Sequence, residues 1–366
     1  MPLDEPTWWY GAADSLPARL LRPLARVYDW QATRRMDQPA AYRSPLPVLC
    51  IGNFTAGGTG KTPLARACVA ALAARGRTVA VLTRGYGGRS HGPRFVDMGL
   101  DRAEDVGDEP LLLAGDARVM VARDRVAGAR AIESATPTVD VIVMDDGLQN
   151  PSLAKDLSLA VIDGRRGVGN GRVIPAGPLR ASLAAQLTRV DAIVVNLPPG
   201  LAGEDSVALT WLRQNFEGPV LAARAEPAAD TDALAGQAVV AFAGIANPGR
   251  FFDLLESHGA AIADRMVFAD HHPFSDSDAE RLLAAAAANN ARLVTTEKDQ
   301  VRLIGHGGAR GRLRERVLAL PIRLVFAERD RLRLEALLEG LKPRPARPAP
   351  TGDGATPRNT FDHPPR

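Results

Sequence analysis

The chain has 366 residues, 46% hydrophobic and 24% charged, with 45 Lys and Arg against 42 Asp and Glu for a net charge of +3. This composition excludes a fibrous or wholly disordered chain, and so small a net charge gives no field that would favour bulk nucleic-acid binding. The two cysteines, Cys50 and Cys68, stand in no metal-ligand spacing; they exclude a disulfide scaffold and read as buried apolar residues in a reducing compartment.

Residues 1–45 read as an arm. Leu16, Leu20, Leu21, Leu24, Val27 and Tyr28 share one side of a helical wheel, and Arg19, Arg22 and Arg26 the other. Trp8, Trp9 and Tyr10 precede this stretch and Trp30 follows it. An amphipathic helix with aromatic flanks and arginines on its polar face suits a membrane interface. The alternative is a helix packed on the protein's own core, and Pro23 works against one straight helix by removing a backbone donor. No run of 18 apolar residues occurs, so no transmembrane helix is expected, and the N-terminus lacks the plan of a signal peptide.

From residue 46 short apolar runs alternate with helical stretches. Strands are expected near 48–51, 78–82, 119–122, 139–144, 157–162 and 192–195, with a helix over 63–75. This pattern predicts an α/β fold: a P-loop NTPase-like, doubly wound, mostly parallel sheet over residues 46–210. A second, smaller α/β domain is expected over 211–342, with strands near 238–243, 261–267 and 293–296 and helices near 248–258 and 277–288. Residues 343–366 hold seven prolines and read as a disordered tail.

The strongest local signal is Thr55-Ala56-Gly57-Gly58-Thr59-Gly60-Lys61-Thr62, between a strand and a helix. Glycines let backbone N–H groups turn onto phosphate oxygens, and the helix N-terminus adds its partial positive charge. Lys61, one of only four lysines, would reach the β and γ phosphates of ATP, and the Thr62 hydroxyl would ligate Mg²⁺. The first glycine of the usual pattern is replaced by Thr55. Residues 141–144 form an apolar run that ends in Asp145 and Asp146, and a carboxylate at that place can hold Mg²⁺ or its waters. Asp108 and Glu109 are expected in a loop before an apolar helical stretch, and His271 in a Pro-terminated loop just after a predicted strand; Asp108 and His271 together could supply the base that an alcohol acceptor needs.

Taken together, several runs resemble the tetraacyldisaccharide 4′-kinase family, the lipid A 4′-kinases of Gram-negative bacteria. They are Gly52-Asn53-Phe54 leading into the phosphate loop, Arg84-Gly85-Tyr86-Gly87, Gly107-Asp108-Glu109-Pro110, Asp145-Asp146-Gly147-Leu148-Gln149, Asn170-Gly171-Arg172, Pro175-Ala176-Gly177-Pro178-Leu179-Arg180, Asp270-His271 and Thr296-Glu297-Lys298-Asp299. The replacement at Thr55 fits the pattern of that family.

The resemblance implies transfer of the γ-phosphate of ATP to the 4′-hydroxyl of a tetraacylated glucosamine disaccharide 1-phosphate, giving lipid IVA. It implies Asp108 as catalytic base with His271 as its partner, and Lys61 as a catalytic cation. Thr62, Glu109, Asp145 and Asp146 are then metal-site residues, and Asn53, Arg84, Tyr86, Gln149, Arg172 and Arg180 substrate contacts. It also favours the lipid-facing reading of the arm, and so a peripheral enzyme on the cytoplasmic face of the inner membrane, with no nucleic-acid partner. The rival of a membrane-associated switch ATPase is weakened by Ala56, which stands where such loops carry a signature lysine. A metallochaperone would want histidines near Cys50 and Cys68, and a soluble metabolite kinase leaves the arm unexplained.

Overall fold

Runs such as Val48-Leu49-Cys50-Ile51 and Val141-Ile142-Val143-Met144 carry no polar position on either face. Such segments are stable only when both faces of a strand are covered. In the computed structural model, which describes residues 5–201, 206–228, 231 and 234–343, they become central strands of a large sheet.

After a 3₁₀ turn (Thr7–Tyr10) and α1 (Leu16–Met36), the chain enters the sheet with β1 (Val48–Gly52), crosses by α2 (Lys61–Ala73) to β2 (Val79–Thr83), and adds the short edge strand β3 (Arg94–Phe95). There follow α3 (Ala103–Val106), α4 (Asp108–Leu113), β4 (Arg118–Val121), α5 (Arg125–Glu133), β5 (Val141–Asp145), β6 (Leu157–Asp163), α6 (Leu183–Leu187), β7 (Ala192–Leu197), α7 (Val207–Asn215) and β8 (Val220–Pro227). The chain then builds a second sheet from β9 (Ala238–Ala243), α8 (Pro248–Ser257), β10 (Ala261–Val267), α9 (Asp276–Ala288), β11 (Arg292–Thr296), α10 (Glu297–Val301), α11 (Gly308–Arg316) and β12 (Leu318–Leu320). It returns to the first sheet with β13 (Ile322–Phe326) and ends its described part with α12 (Glu328–Glu339).

The large sheet has the order β13-β8-β7-β6-β1-β5-β2-β4-β3, parallel from β8 to β4 and antiparallel at both edges. α2 buries Leu64, Cys68 and Leu72 on one face, and α5 and α7 bury Ile132, Leu209 and Leu212 on the other. The small sheet, β10-β9-β11-β12, is parallel throughout; α8 covers one face and α9 and α11 the other. β8 and β13 pair with each other within the large sheet, so the sequence-drawn boundary at 210/211 falls before the last parallel strand of the first unit. The second sheet spans only β9 to β12. The tail expected over 343–366 lies, after residue 343, outside the described residues.

α1 is one helix that runs through Pro23. The carbonyl that Pro23 leaves without its helical partner belongs to Arg19, an exposed residue. Small residues, Ala18 and Ala25, face the protein, while Leu16, Leu20 and Leu24 are 68%, 71% and 60% exposed. These three leucines therefore do not pack on the protein's own core, whereas Met36 at the end of the helix does. No helix among the described residues is long and apolar enough to cross a membrane.

Candidate active site

Parallel strands deliver their C-terminal ends to one edge of a sheet, where loops gather residues distant in sequence. β1 ends at Gly52, and the loop that follows turns at Gly57 and Gly60, with φ of 93° and 104°. The Gly60 backbone passes so close to Asn196, at the end of β7, that an added Cβ would stand 2.5 Å from Asn196 Nδ2. Lys61 opens α2 and points back across the loop. Its Nζ donates to Asn53 Oδ1 at 3.4 Å and lies 3.7 Å from Asp146 Oδ1.

Asp145 and Asp146 stand at the end of the neighbouring β5. Burial pushes Asp145 up to about 7, with Glu109 and Asp146 adding to the effect. Burial also raises Asp146, but Lys61 and Arg180 outweigh it and hold that carboxyl down to about 2. Asp146 adopts a φ of 49°, which is uncommon without glycine, and the other non-glycine residue of the site in that region is His271, at 58°. Such backbone conformations persist where the surroundings over-determine them. Arg180 Nη1 sits 3.2 Å from both Asp146 oxygens and its Nε donates to Thr55 O, so this arginine ties the phosphate loop to the acidic pair.

Asp108 begins α4 and is buried; its Oδ1 accepts from Glu109 N at 2.9 Å and its Oδ2 from His271 Nδ1 at 3.0 Å. Burial would raise Asp108, but the hydrogen bond from His271 and the charges of Arg302 and Lys298 hold it well below the usual carboxylate range. The same hydrogen bond raises His271 above the ordinary imidazole value, against its burial. Glu109 is held down chiefly by Lys298, whose Nζ lies 2.5 Å from Glu109 Oε1. The Tyr86 ring packs 5.3 Å from the His271 ring.

Gly57 to Thr62, Arg84, Tyr86, Glu109, Asp145, Asp146, Gln149, Arg180 and His271 line one cavity of about 700 Å³ between the two sheets. Asp108 stands behind His271, outside the cavity wall. Thr55 and Ala56 pair with Leu179 and Pro178, and Asn53 is buried beneath the loop; none of the three reaches the wall. Gln149 gives its amide nitrogen to Asn53 O and Gln186 Oε1, so it also braces the loop. Arg172 is not brought to the cavity; it lies 3.3 Å from Asp14 of the arm.

Asp145 Oδ1 and Thr59 Oγ1 are buried with no hydrogen-bond partner among the described residues. An undonated carboxylate oxygen suits a cation, and Thr62 on the same wall adds an oxygen donor of the kind Mg²⁺ takes. The oxygens of Asp146 and Glu109 face Lys61, Arg180 and Lys298, and no cluster of three acidic or imidazole ligands forms among the described residues.

Several residues of the site carry no signal in the sequence. Arg66 of α2 pairs with Glu297 at 2.8 Å, and Arg125 Nη2 donates to Asp145 O at 3.1 Å. Arg250 of α8 donates to Asp163 Oδ2 and Asn196 Oδ1, at the ends of β6 and β7. Lys298 was visible as part of a motif but without a role, and Arg302 not at all.

The model of the tetraacyldisaccharide-1-P 4′-kinase family matches residues 17–341. A tetraacyldisaccharide 4′-kinase of Methylobacterium nodulans is 48% identical over 345 residues, 94% of this chain and 98% of that protein. One of Methylorubrum extorquens is 51% identical over 328 residues, 90% of this chain and 96% of that protein. Among solved structures, LpxK from Aquifex aeolicus in complex with ATP matches with a TM-score of 0.67 and 25% identity, covering 89% of this chain and 99% of that one.

Proposed function

The chain belongs to the tetraacyldisaccharide-1-phosphate 4′-kinase family, and on that footing we propose an assignment of roles within its cavity. It is an ATP-dependent kinase that transfers the γ-phosphate to the 4′-hydroxyl of a tetraacylated glucosamine disaccharide 1-phosphate, giving lipid IVA. A switch ATPase without an acceptor is not the reading that this family supports.

The observation that carries the assignment is the His271–Asp108 pair. His271 lines the cavity, whereas Asp108 is buried behind it and is held strongly ionised. A carboxylate so stabilised is a poor proton acceptor. The sequence reading put the base on Asp108; the arrangement favours His271, with Nδ1–H donating to Asp108 and Nε2 turned to the sugar hydroxyl. Asp108 fixes the tautomer and the ring, and stabilises the imidazolium once it forms.

Lys61 supplies charge against the transferring phosphate, and Arg180 holds the loop and Asp146 in register. Mg²⁺ would be held by Thr62, Asp145 and Asp146 or Glu109, and when bound with ATP it neutralises the phosphate charge. Arg84 and Tyr86, beside His271, contact the disaccharide. Arg172, near the arm, meets the part of the substrate that stays at the lipid surface. The exposed leucines of α1 rest in the bilayer interface and make the enzyme peripheral on the cytoplasmic face of the inner membrane.

The test is transfer of label from [γ-³²P]ATP to the tetraacyl disaccharide 1-phosphate, with lipid product and free phosphate read together. His271→Ala and Asp108→Asn should each cut lipid labelling by about 10²–10⁴-fold in folded protein. Wild-type labelling by His271→Ala overturns the assignment.

A further inference from the structure

The geometry points to Arg302 as a positioning residue for phosphoryl transfer: braced on the small sheet, it holds the Asp108 carboxylate in the orientation that His271 requires. The inference rests on the His271–Asp108 assignment above and adds to it the group that sets that pair.

Arg302 caps the end of α10, the short helix that follows β11, and it is buried. Each nitrogen of its guanidinium is engaged. Nε donates to Asp108 Oδ2 at 2.9 Å, and Nη2 donates to the same oxygen. Nη1 turns the other way and donates to Gly244 O at 2.7 Å and to Asp299 Oδ1 at 2.8 Å. Asp299 is itself fixed: its Oδ2 accepts from Thr296 Oγ1 at 2.6 Å, and its Oδ1 accepts from Gly244 N at 3.0 Å. The planar fork thus spans from a rigid brace in the small unit to a carboxylate of the large one, a use that suits arginine and that lysine fills poorly.

The brace also fixes the histidine. Gly244 O, which takes Arg302 Nη1, also accepts the backbone N–H of His271 at 3.1 Å. One peptide at the end of β9 therefore sets both donors that converge on Asp108 Oδ2. There is little slack, since a Cβ at Gly244 would stand 3.1 Å from Asp299 Oδ1 and 3.2 Å from Arg302 Nη1. Without the guanidinium, Asp108 keeps only the Glu109 N–H and the imidazole itself, and its carboxylate is free to turn away from Nδ1. The ring then loses its fixed tautomer.

The Thr296-Glu297-Lys298-Asp299 run acquires a common purpose in this arrangement. Thr296 and Asp299 build the brace, Lys298 reaches Glu109, and Glu297 reaches Arg66 of α2. One turn of the small unit grips both carboxylates of α4 and the helix behind the phosphate loop.

The experiment compares Arg302→Lys, Arg302→Ala and Asp299→Asn with wild type in the lipid-labelling assay, with kcat and both KM values measured and guanidinium added to Arg302→Ala. Expected is a fall in kcat of at least about tenfold, the scale on which groups behind a directly acting ligand count, with the KM for ATP within about twofold. Millimolar guanidinium should restore part of the Arg302→Ala rate, and Arg302→Lys should cost nothing further in an Asp108→Asn background. Should Arg302→Ala fail to fold, Arg302→Lys and Asp299→Asn carry the same test. Wild-type kcat in these two variants, while Asp108→Asn has lost about 10²-fold or more, overturns this inference alone. A loss with no guanidinium rescue and with both KM values raised makes Arg302 a structural anchor and overturns it too. Wild-type kcat in Asp108→Asn removes the His271–Asp108 assignment first, and this inference with it.

Discussion

His271 Nδ1 lies 3.0 Å from Asp108 Oδ2, although 163 positions separate the two residues in sequence. The contact raises the imidazole above its ordinary value of 6.5. A general base acts only when unprotonated, so the acid limb of the kcat/KM profile for the disaccharide should lie above pH 6.5. Asp108→Asn removes the negative partner and must move the limb down in pH, while kcat falls by about 10²–10⁴-fold. pH–rate profiles of the two proteins check this. A limb that stays in place would mean that another group is titrating.

Asp145 makes the opposite kind of prediction. Burial pushes its carboxyl up to about 7 from the ordinary 3.8, so the folded, metal-free protein holds a proton there that the unfolded chain gives up. Stability therefore falls as pH rises from about 4 through about 7. Asp145→Asn, which never ionises, should melt at higher temperature than wild type at pH 8 in the absence of nucleotide and metal. The same variant should lose Mg²⁺-dependent turnover. Wild-type protein should release a proton on taking up Mg²⁺·ATP near pH 7, measurable by calorimetry in buffers of different ionisation enthalpy.

Lys61 tests the phosphate loop. Its Nζ is 3.7 Å from Asp146 Oδ1 and within reach of Asn53, so Lys61→Ala removes a charge without emptying a core. Turnover should fall by about 10²–10³-fold, the cost of losing one group that meets developing charge. Circular dichroism should remain that of wild type. Because Lys61 is the leading group that lowers Asp146, that carboxyl should titrate higher in the variant, a shift that carboxylate-labelled NMR would read.

How much of this was legible in the sequence depended on range. The phosphate loop was readable because its glycines, its lysine and the strand before it are consecutive. β1, β2, β5, β6 and β7 were readable to within a residue or two, because a strand buried on both faces has no polar position to hide in. β8 and β13 were not, since their partly exposed positions break the apolar run. Only the pairing, 95 or more residues apart, shows that they close the large sheet. Arg302 was invisible for the same reason: its partner Asp108 is 194 positions away. Arg172 shows the converse limit. Its motif was plain, but the Asn170 loop turns the side chain toward Asp14 of the arm rather than into the cavity.

The arm gives the last prediction, and its contacts decide which variant is informative. Deleting residues 1–30 would remove more than a lipid-facing surface. Trp9 Nε1 donates to Pro175 O at 3.1 Å, Asn170 N donates to Trp9 O at 2.7 Å, and Asp29 Oδ1 accepts from Ser182 N at 2.6 Å. These bonds hold the segment that carries Arg172 and Arg180, and Glu5 abuts Gly57 of the phosphate loop so closely that an added Cβ would stand 1.6 Å from its Oε1. A truncated protein would thus lose activity whether or not the arm meets lipid. Leu20→Glu and Leu24→Glu leave every one of these contacts in place, since both side chains point outward. Each should change stability by less than about 0.5 kcal/mol. Each should weaken binding to anionic liposomes by about tenfold or more, because a leucine buried in the interface is worth about 1.5–3 kcal/mol. Turnover of acceptor presented in vesicles should fall in parallel, while turnover of detergent-dispersed acceptor stays near wild type. Sedimentation with liposomes at wild-type levels for the double variant would show that α1 keeps its leucines out of the bilayer.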